Sequence, residues 1–149
     1  MVCLGNICRS PLAEGILKEK IKKAGVSWKV DSAGTNHYHT GEAPHQFSQK
    51  VAAQNGINIS EQRARRFIKE DIDQFDKIYA LAPDVLDEMK LITGEKFDKQ
   101  KVDLLLNELY PGENREVIDP WYGPEAGYHD IFDIINRACD SIITNYLKK

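Results

Sequence analysis

Apolar positions along the chain change their period several times, and each change marks an element boundary. Leu12, Ile16, Leu17, Ile21 and Ala24 recur at three- and four-residue spacing, which predicts a helix. Pro11 fits its first turn, and Gly25 reads as its stop. Trp28 to Ala33 predicts a short strand that ends in the loop Gly34-Thr35. Phe47, Val51 and Ala52 face inward on a helix predicted from Ala43 or Pro44 to Asn55, closed by Gly56. Lys77 to Ala82 predicts a buried strand, and a helix follows over roughly Asp84 to Ile92. Val102 to Leu106 predicts a further strand. The last helix runs from about Glu125 or Tyr128 to Leu147, with Ile131, Ile134, Ile135, Ala138, Ile142 and Tyr146 on one face. Strands alternating with helices imply an α/β fold with a parallel sheet. Active sites in such sheets lie outside the carboxyl ends of the strands.

Composition narrows the function classes. A chain of 149 residues without repeat or low-complexity linker is expected to be one domain over 1–149. Its content of 42% hydrophobic and 29% charged residues is that of an ordinary soluble protein. A net charge of −3 gives no reason to expect nucleic acid or an anionic membrane as partner. Three cysteines, at 3, 8 and 139, are too few and too uneven for a secreted disulfide framework. With no signal-like segment and no long apolar run, a cytoplasmic location is expected.

The chemistry concentrates in Val2-Cys3-Leu4-Gly5-Asn6-Ile7-Cys8-Arg9-Ser10-Pro11. The segment reads as a loop between a strand end and a helix N-terminus. Gly5 permits positive φ and Asn6 tolerates it, so the backbone N–H groups can curl into a nest for an anion. The helix that begins near Arg9 aims free N–H groups and its positive dipole end at the same place. Arg9 adds a rigid fork of donors that matches a tetrahedral oxyanion, which Lys could not do. Such positive partners favour the thiolate of Cys3, and Ser10 can donate its hydroxyl to it. A nucleophile and a phosphate cradle are thus expected in one loop.

The loop is Cys-x5-Arg-Ser, and the full string CLGNICRSPLAE resembles the low-molecular-weight protein tyrosine phosphatases. The resemblance continues through Asp31-Ser32-Ala33-Gly34-Thr35, Gly56-Ile57, Ala64-Arg65 and Asp119-Pro120-Trp121-Tyr122-Gly123, nearly the whole chain. It implies a three-layer α/β fold, a four-stranded parallel sheet flanked by helices with the phosphate-binding loop after its first strand. It further implies a phosphocysteine on Cys3, phosphoryl oxygens bound by Arg9, and a loop Leu4, Gly5, Asn6, Ile7, Cys8 organised with Ser10. Hydrolysis also needs a proton donor for the leaving group and then a base for water. Asp119 is the candidate for both, on a loop stiffened by Pro120. Asp103 and Asp130 are rival acids without a comparable motif.

By the same resemblance Leu4, Ile7, Tyr38, Trp121 and Tyr122 wall the substrate groove. The branched apolar Ile7 favours a phenyl ring over a guanidinium, hence phosphotyrosine over phosphoarginine. Cys8 resembles the second cysteine that forms a reversible disulfide with the nucleophile in some members. Cys139 reads as a buried structural thiol. The expected partners are a phosphotyrosine-bearing protein or peptide and a phosphate-like oxyanion, with the protein a monomer or weak dimer. No metal and no cofactor are expected, because His37, His39 and His45 lack a ligand-like spacing. Arg63, Arg65 and Arg66 read as a solvated face, with Arg65 structural. An arsenate reductase of the same fold needs further cysteines between Cys8 and Cys139, where none occurs. A phosphoprotein-binding module would not need Cys3, Arg9 and Asp119 together.

Three departures from the family pattern bear on these expectations. Gln62 and Ala82 stand where many relatives carry a paired histidine and aspartate, so support of the loop is expected to differ. Pro44, His45, Gln46 and Phe47 replace the usual Pro-x-Asp-x-Arg-like stretch, which affects the neighbouring loop. Only Met1 and Val2 precede the cysteine, where relatives have about five apolar residues in a central strand. Each buried apolar side chain fewer corresponds to roughly 1.5–3 kcal/mol. The expectation is a native start upstream or a compromised sheet.

Overall fold

The computed structural model describes residues 1–121 and 123–147. Four parallel strands form the sheet: β1 (Val2–Cys3), β2 (Ala33–Gly34), β3 (Ile78–Ala80) and β4 (Val102–Leu104), in the order β2-β1-β3-β4. Val2 lies opposite Ala33 on one side and Ala80 on the other, so the sheet is continuous through the short β1 rather than broken there. Tyr79 lies opposite Asp103 in the outer pair.

Alternation within the strands explains the two cores. Tyr79 and Leu81 point to one face, where they join α1 (Arg9–Ala24), α2 (Gln46–Gln54) and α5 (Ala126–Leu147). Ile78, Ala80 and Ala82 point to the other, against Val85 and Met89 of α4 (Pro83–Thr93) and Ile72 of the one-turn α3 (Asp71–Gln74). A strand covered on both faces has no polar side, which is why its sequence reads as a continuous apolar run. Three layers follow, as the family resemblance implied.

Helix α1 ends where its sequence says it should. Gly25 takes φ 71° and donates its N–H to the Ile21 and Lys22 carbonyls. Ile131, Ile135, Ala138, Cys139 and Ile142 form the buried face of α5, the stripe that the periodicity predicts.

Boundaries differ in places with identifiable causes. Of the strand expected over Trp28 to Ala33, only Ala33 enters the sheet, together with Gly34, because β1 offers just Val2 and Cys3 as partners. The second helix begins at Gln46, later than Ala43 or Pro44, because the extended His45 (φ −53°, ψ 143°) is its cap. The third strand is shorter than Lys77 to Ala82, since Pro83 occupies the first turn of α4 and holds Ala82 extended. After Leu104 the chain tightens into a 3-10 turn over Leu105–Glu108 instead of continuing the strand. No described helix is long and apolar enough to cross a membrane.

Candidate active site

Cys3 is the last residue of β1 and Arg9 the first of α1, so the intervening loop sits at the carboxyl end of a central strand. The left-handed residue that curls this loop is Asn6, at φ 59°, and not Gly5. Its side chain compensates the unfavourable backbone. Asn6 Nδ2 donates to Ser10 Oγ (2.8 Å) and Ser32 Oγ (3.0 Å), and its Oδ1 accepts from the Arg65 N–H at 3.0 Å. Ser10 Oγ lies 2.9 Å from Cys3 Sγ, and the Asn6 N–H points to the same sulfur at 3.3 Å. Because Ser10 accepts from Asn6, its own proton is available to the sulfur. Two donors therefore converge on Cys3.

A buried polar chain stands behind this arrangement. Ser32 donates to Glu14 Oε1 at 2.6 Å, and Glu14 Oε2 accepts from Lys18 at 2.6 Å. Arg65 is tied by Nε to Asp31 (3.0 Å) and by both terminal nitrogens to Asp71 (3.1 and 3.3 Å), a structural role that matches its expected one. Gly34 closes the back of the loop. A Cβ there would lie 2.8 Å from the Leu4 oxygen, 2.9 Å from the Gly5 carbon and 3.0 Å from the Asn6 nitrogen. All three neighbours are backbone, so no side chain can turn aside to make room. Thr35 and Asn36 then donate to the Cys3 and Leu4 carbonyls, both at 3.0 Å.

Arg9 is almost wholly buried, with its side chain 4% exposed. Its Nη1 donates to the Val117 carbonyl at 2.9 Å, and its Nη2 lies 3.7 Å from Asp119 Oδ2. Val117 in turn donates to the Leu81 carbonyl at 2.8 Å, which anchors the segment beside β3. Asp119, more than a hundred residues further along the chain, thus reaches the mouth of the loop that holds Cys3 and Arg9. Asp119 is partly open to solvent, its side chain 39% exposed, and its Oδ1 accepts from the Trp121 N–H at 3.0 Å.

Of the residues expected to wall a substrate groove, Tyr38 is 76% exposed and Trp121 39% exposed, while Leu4 is half-buried. Ile7 is buried in the core, so only a small edge of it is available to a ligand. Tyr122 lies outside the described residues. Cys8 is also buried, with its sulfur 3.6 Å from the Tyr128 hydroxyl, and burial pushes its pKa up to about 12. Cys139 is buried on α5, and burial takes its thiol to about 12 as well. Gln62 donates to the Pro11 carbonyl at 3.1 Å, supporting the first turn of α1, while Ala82 is buried among the α4 side of the core.

His37, His39 and His45 serve aromatic and hydrogen-bonding roles. His37 packs on Tyr38, and His39 lies beside Trp121 with its Nδ1 2.9 Å from Glu42. His45 caps α2 by accepting the Phe47 N–H at 3.0 Å. Sequence reasoning missed the parts played by Glu14, Ser32, Gly34, His45 and Tyr128. The string Asp31-Ser32-Ala33-Gly34-Thr35 was the available signal for two of them.

Comparison with known proteins agrees with this architecture. A family described as low molecular weight phosphotyrosine protein phosphatase matches residues 1–149. The low molecular weight protein-tyrosine-phosphatase YfkJ of Bacillus subtilis is 31% identical over 150 residues, covering 99% of this chain and 94% of that protein. Its crystal structure superposes with a TM-score of 0.90, covering 99% of this chain and 92% of that one. The human low molecular weight phosphotyrosine protein phosphatase is 32% identical, covering 95% of this chain and 90% of its own length. A protein tyrosine phosphatase structure from Entamoeba histolytica is 34% identical with a TM-score of 0.90, covering 99% of this chain and 94% of that one.

Proposed function

The chain belongs to the low molecular weight phosphotyrosine protein phosphatase family, and on that premise we propose that it hydrolyses phosphotyrosine in proteins or peptides through a phosphocysteine on Cys3. The observation that carries the residue assignment is the meeting of Cys3, Arg9 and Asp119 at one mouth, with Asp119 3.7 Å from the buried guanidinium.

In this reading the phosphoryl group sits over the loop, its oxygens held by Arg9 and by loop N–H groups. The Cys3 sulfur attacks phosphorus in line as the bond to the tyrosyl oxygen breaks. Asp119 gives its proton to the departing phenolate, which is otherwise a poor leaving group. It then takes a proton from the water that attacks phosphocysteine, releasing phosphate and restoring the thiolate. Ser10 and Asn6 serve the sulfur in both steps, and the exposed faces of Tyr38 and Trp121 receive the ring. Every step is assigned to a side chain or backbone group of this chain, and none calls on a metal.

Asp119→Ala tests the acid. Hydrolysis of a phosphotyrosine peptide, measured with EDTA present, is expected to fall about 10²–10³-fold in kcat. A variant within about threefold of the parent would move the proton donor elsewhere.

Cys8 is the proposed redox partner of Cys3. Peroxide converts Cys3 to the sulfenic acid, and the Cys8 thiol condenses with it to a disulfide and water. To do so Cys8 has to leave the Tyr128 hydroxyl and lose a proton that burial holds tightly. Cys8→Ser is therefore expected to show less recovery of activity by thiol after peroxide treatment than the parent. Equal recovery would remove Cys8 from this role.

A further inference from the structure

His45 touches the phosphate loop, α2, α5 and the segment that carries Asp119. Its backbone N–H donates to the Ile7 carbonyl of the phosphate loop at 2.8 Å. Its Nδ1 accepts the Phe47 N–H at 3.0 Å, which caps α2, places the ring proton on Nε2 and fixes the ring plane. Burial lowers its pKa, in keeping with a neutral ring that accepts at Nδ1. The imidazole stacks on Tyr128 of α5, with centroids 5.2 Å apart and planes at 23°. It also meets the Trp121 ring at a steep angle, with centroids 5.4 Å apart and planes at 76°.

Trp121 is the link to the chemistry. It lies two residues after Asp119, and its N–H donates to Asp119 Oδ1 at 3.0 Å. Trp121 is 39% exposed, and its ring also lies beside the His39 ring at 5.5 Å. Near the mouth the segment that begins at Val117 is held by Arg9 and by the contacts of Trp121 with His45 and His39. A carboxyl group that has to reach the leaving oxygen depends on such a support, because small displacements of a reacting group cost rate steeply.

We propose that His45 is a positioning residue for Asp119: its ring, stacked on Tyr128 and in contact with Trp121, holds Trp121 and thereby the carboxyl group over the phosphate loop. This rests on the reading of Asp119 as the general acid. The ring and the cap are separable functions of one side chain. His45→Asn keeps an acceptor for the Phe47 N–H and removes the ring. His45→Phe keeps a ring and removes the acceptor.

The test compares kcat/KM for phenyl phosphate, whose leaving group needs a proton, with that for 2,4-dinitrophenyl phosphate, whose leaving group does not. Both variants are made in a Trp28→Phe background, so that Trp121 is the sole tryptophan. His45→Asn is expected to lose about tenfold on phenyl phosphate and less than about twofold on the dinitrophenyl ester. Its Trp121 emission is expected to shift to the red as the ring gains water. His45→Phe is expected to keep the parent's ratio of the two esters and its emission, with a lower Tm.

Equal loss on both esters in His45→Asn, or no loss, overturns the proposal. So does a changed ratio in a folded His45→Phe, which decides the matter even if His45→Asn does not fold. Asp119→Ala on the same esters separates the two levels. A selective loss there without one in His45→Asn removes only the role of His45. Equal loss on both esters in Asp119→Ala overturns the general-acid reading and this proposal with it.

Discussion

Cys3→Ser is expected to have no measurable phosphatase activity, a loss on the order of 10⁴-fold or more. The reason is chemical rather than structural. Cys3 is buried at the strand end with Ser10 Oγ at 2.9 Å and the Asn6 N–H at 3.3 Å. A serine hydroxyl fits the same space and finds the same polar partners, so the fold is expected to survive. Its oxygen, however, is protonated at neutral pH and has no base in contact: its neighbours are donors or hydroxyls. The cradle itself remains, so the variant should still bind a phosphotyrosine peptide. Turnover against p-nitrophenyl phosphate and peptide binding by calorimetry, measured on one preparation, check both halves. Residual activity above about 1% of the parent would place the nucleophile elsewhere.

The second large effect concerns Arg9→Lys, for which kcat/KM is expected to fall about 10³-fold, with kcat reduced as well as KM raised. One guanidinium performs several tasks in this structure. It donates to the Val117 carbonyl at 2.9 Å, pairs with Asp119 at 3.7 Å, and in the proposed reaction grips phosphoryl oxygens. A lysine ammonium is a point charge on a shorter reach, and cannot present a planar fork in both directions. If it turns to Val117, the phosphate loses its clamp; if it turns to phosphate, the acid-bearing segment loses its tether. Steady-state kinetics together with the inhibition constant of inorganic phosphate separate these losses. A fall of less than about tenfold would mean that charge alone, and not the fork, does the binding.

Much of the fold was legible because local pattern and final burial agree. The stripe of α5, the stop at Gly25 and the double-sided run before Ala82 each follow from side-chain spacing that the tertiary structure respects. The strand over Trp28 to Ala33 was not legible in this way. Its length depends on how much of β1 is present to pair with, and a strand cannot know its partner from its own residues. The sheet nevertheless continues through β1, because Val2 alone pairs on both sides.

The candidate site divides along the same line. By itself the sequence determined the loop, since Cys3, Asn6, Arg9 and Ser10 are so close in the chain that a single strand-to-helix turn brings them to one place. Only the tertiary structure decided what stands around that turn. Ser32 and Glu14 complete the bonds of Asn6, and Gly34 leaves the backbone room to curl. Val117 and Asp119 arrive at Arg9 from more than a hundred residues away, and His45 spans from Ile7 to Trp121. Hydrogen bonds and ring contacts between distant segments form only when packing of the two cores has fixed where those segments lie, and no local periodicity records that.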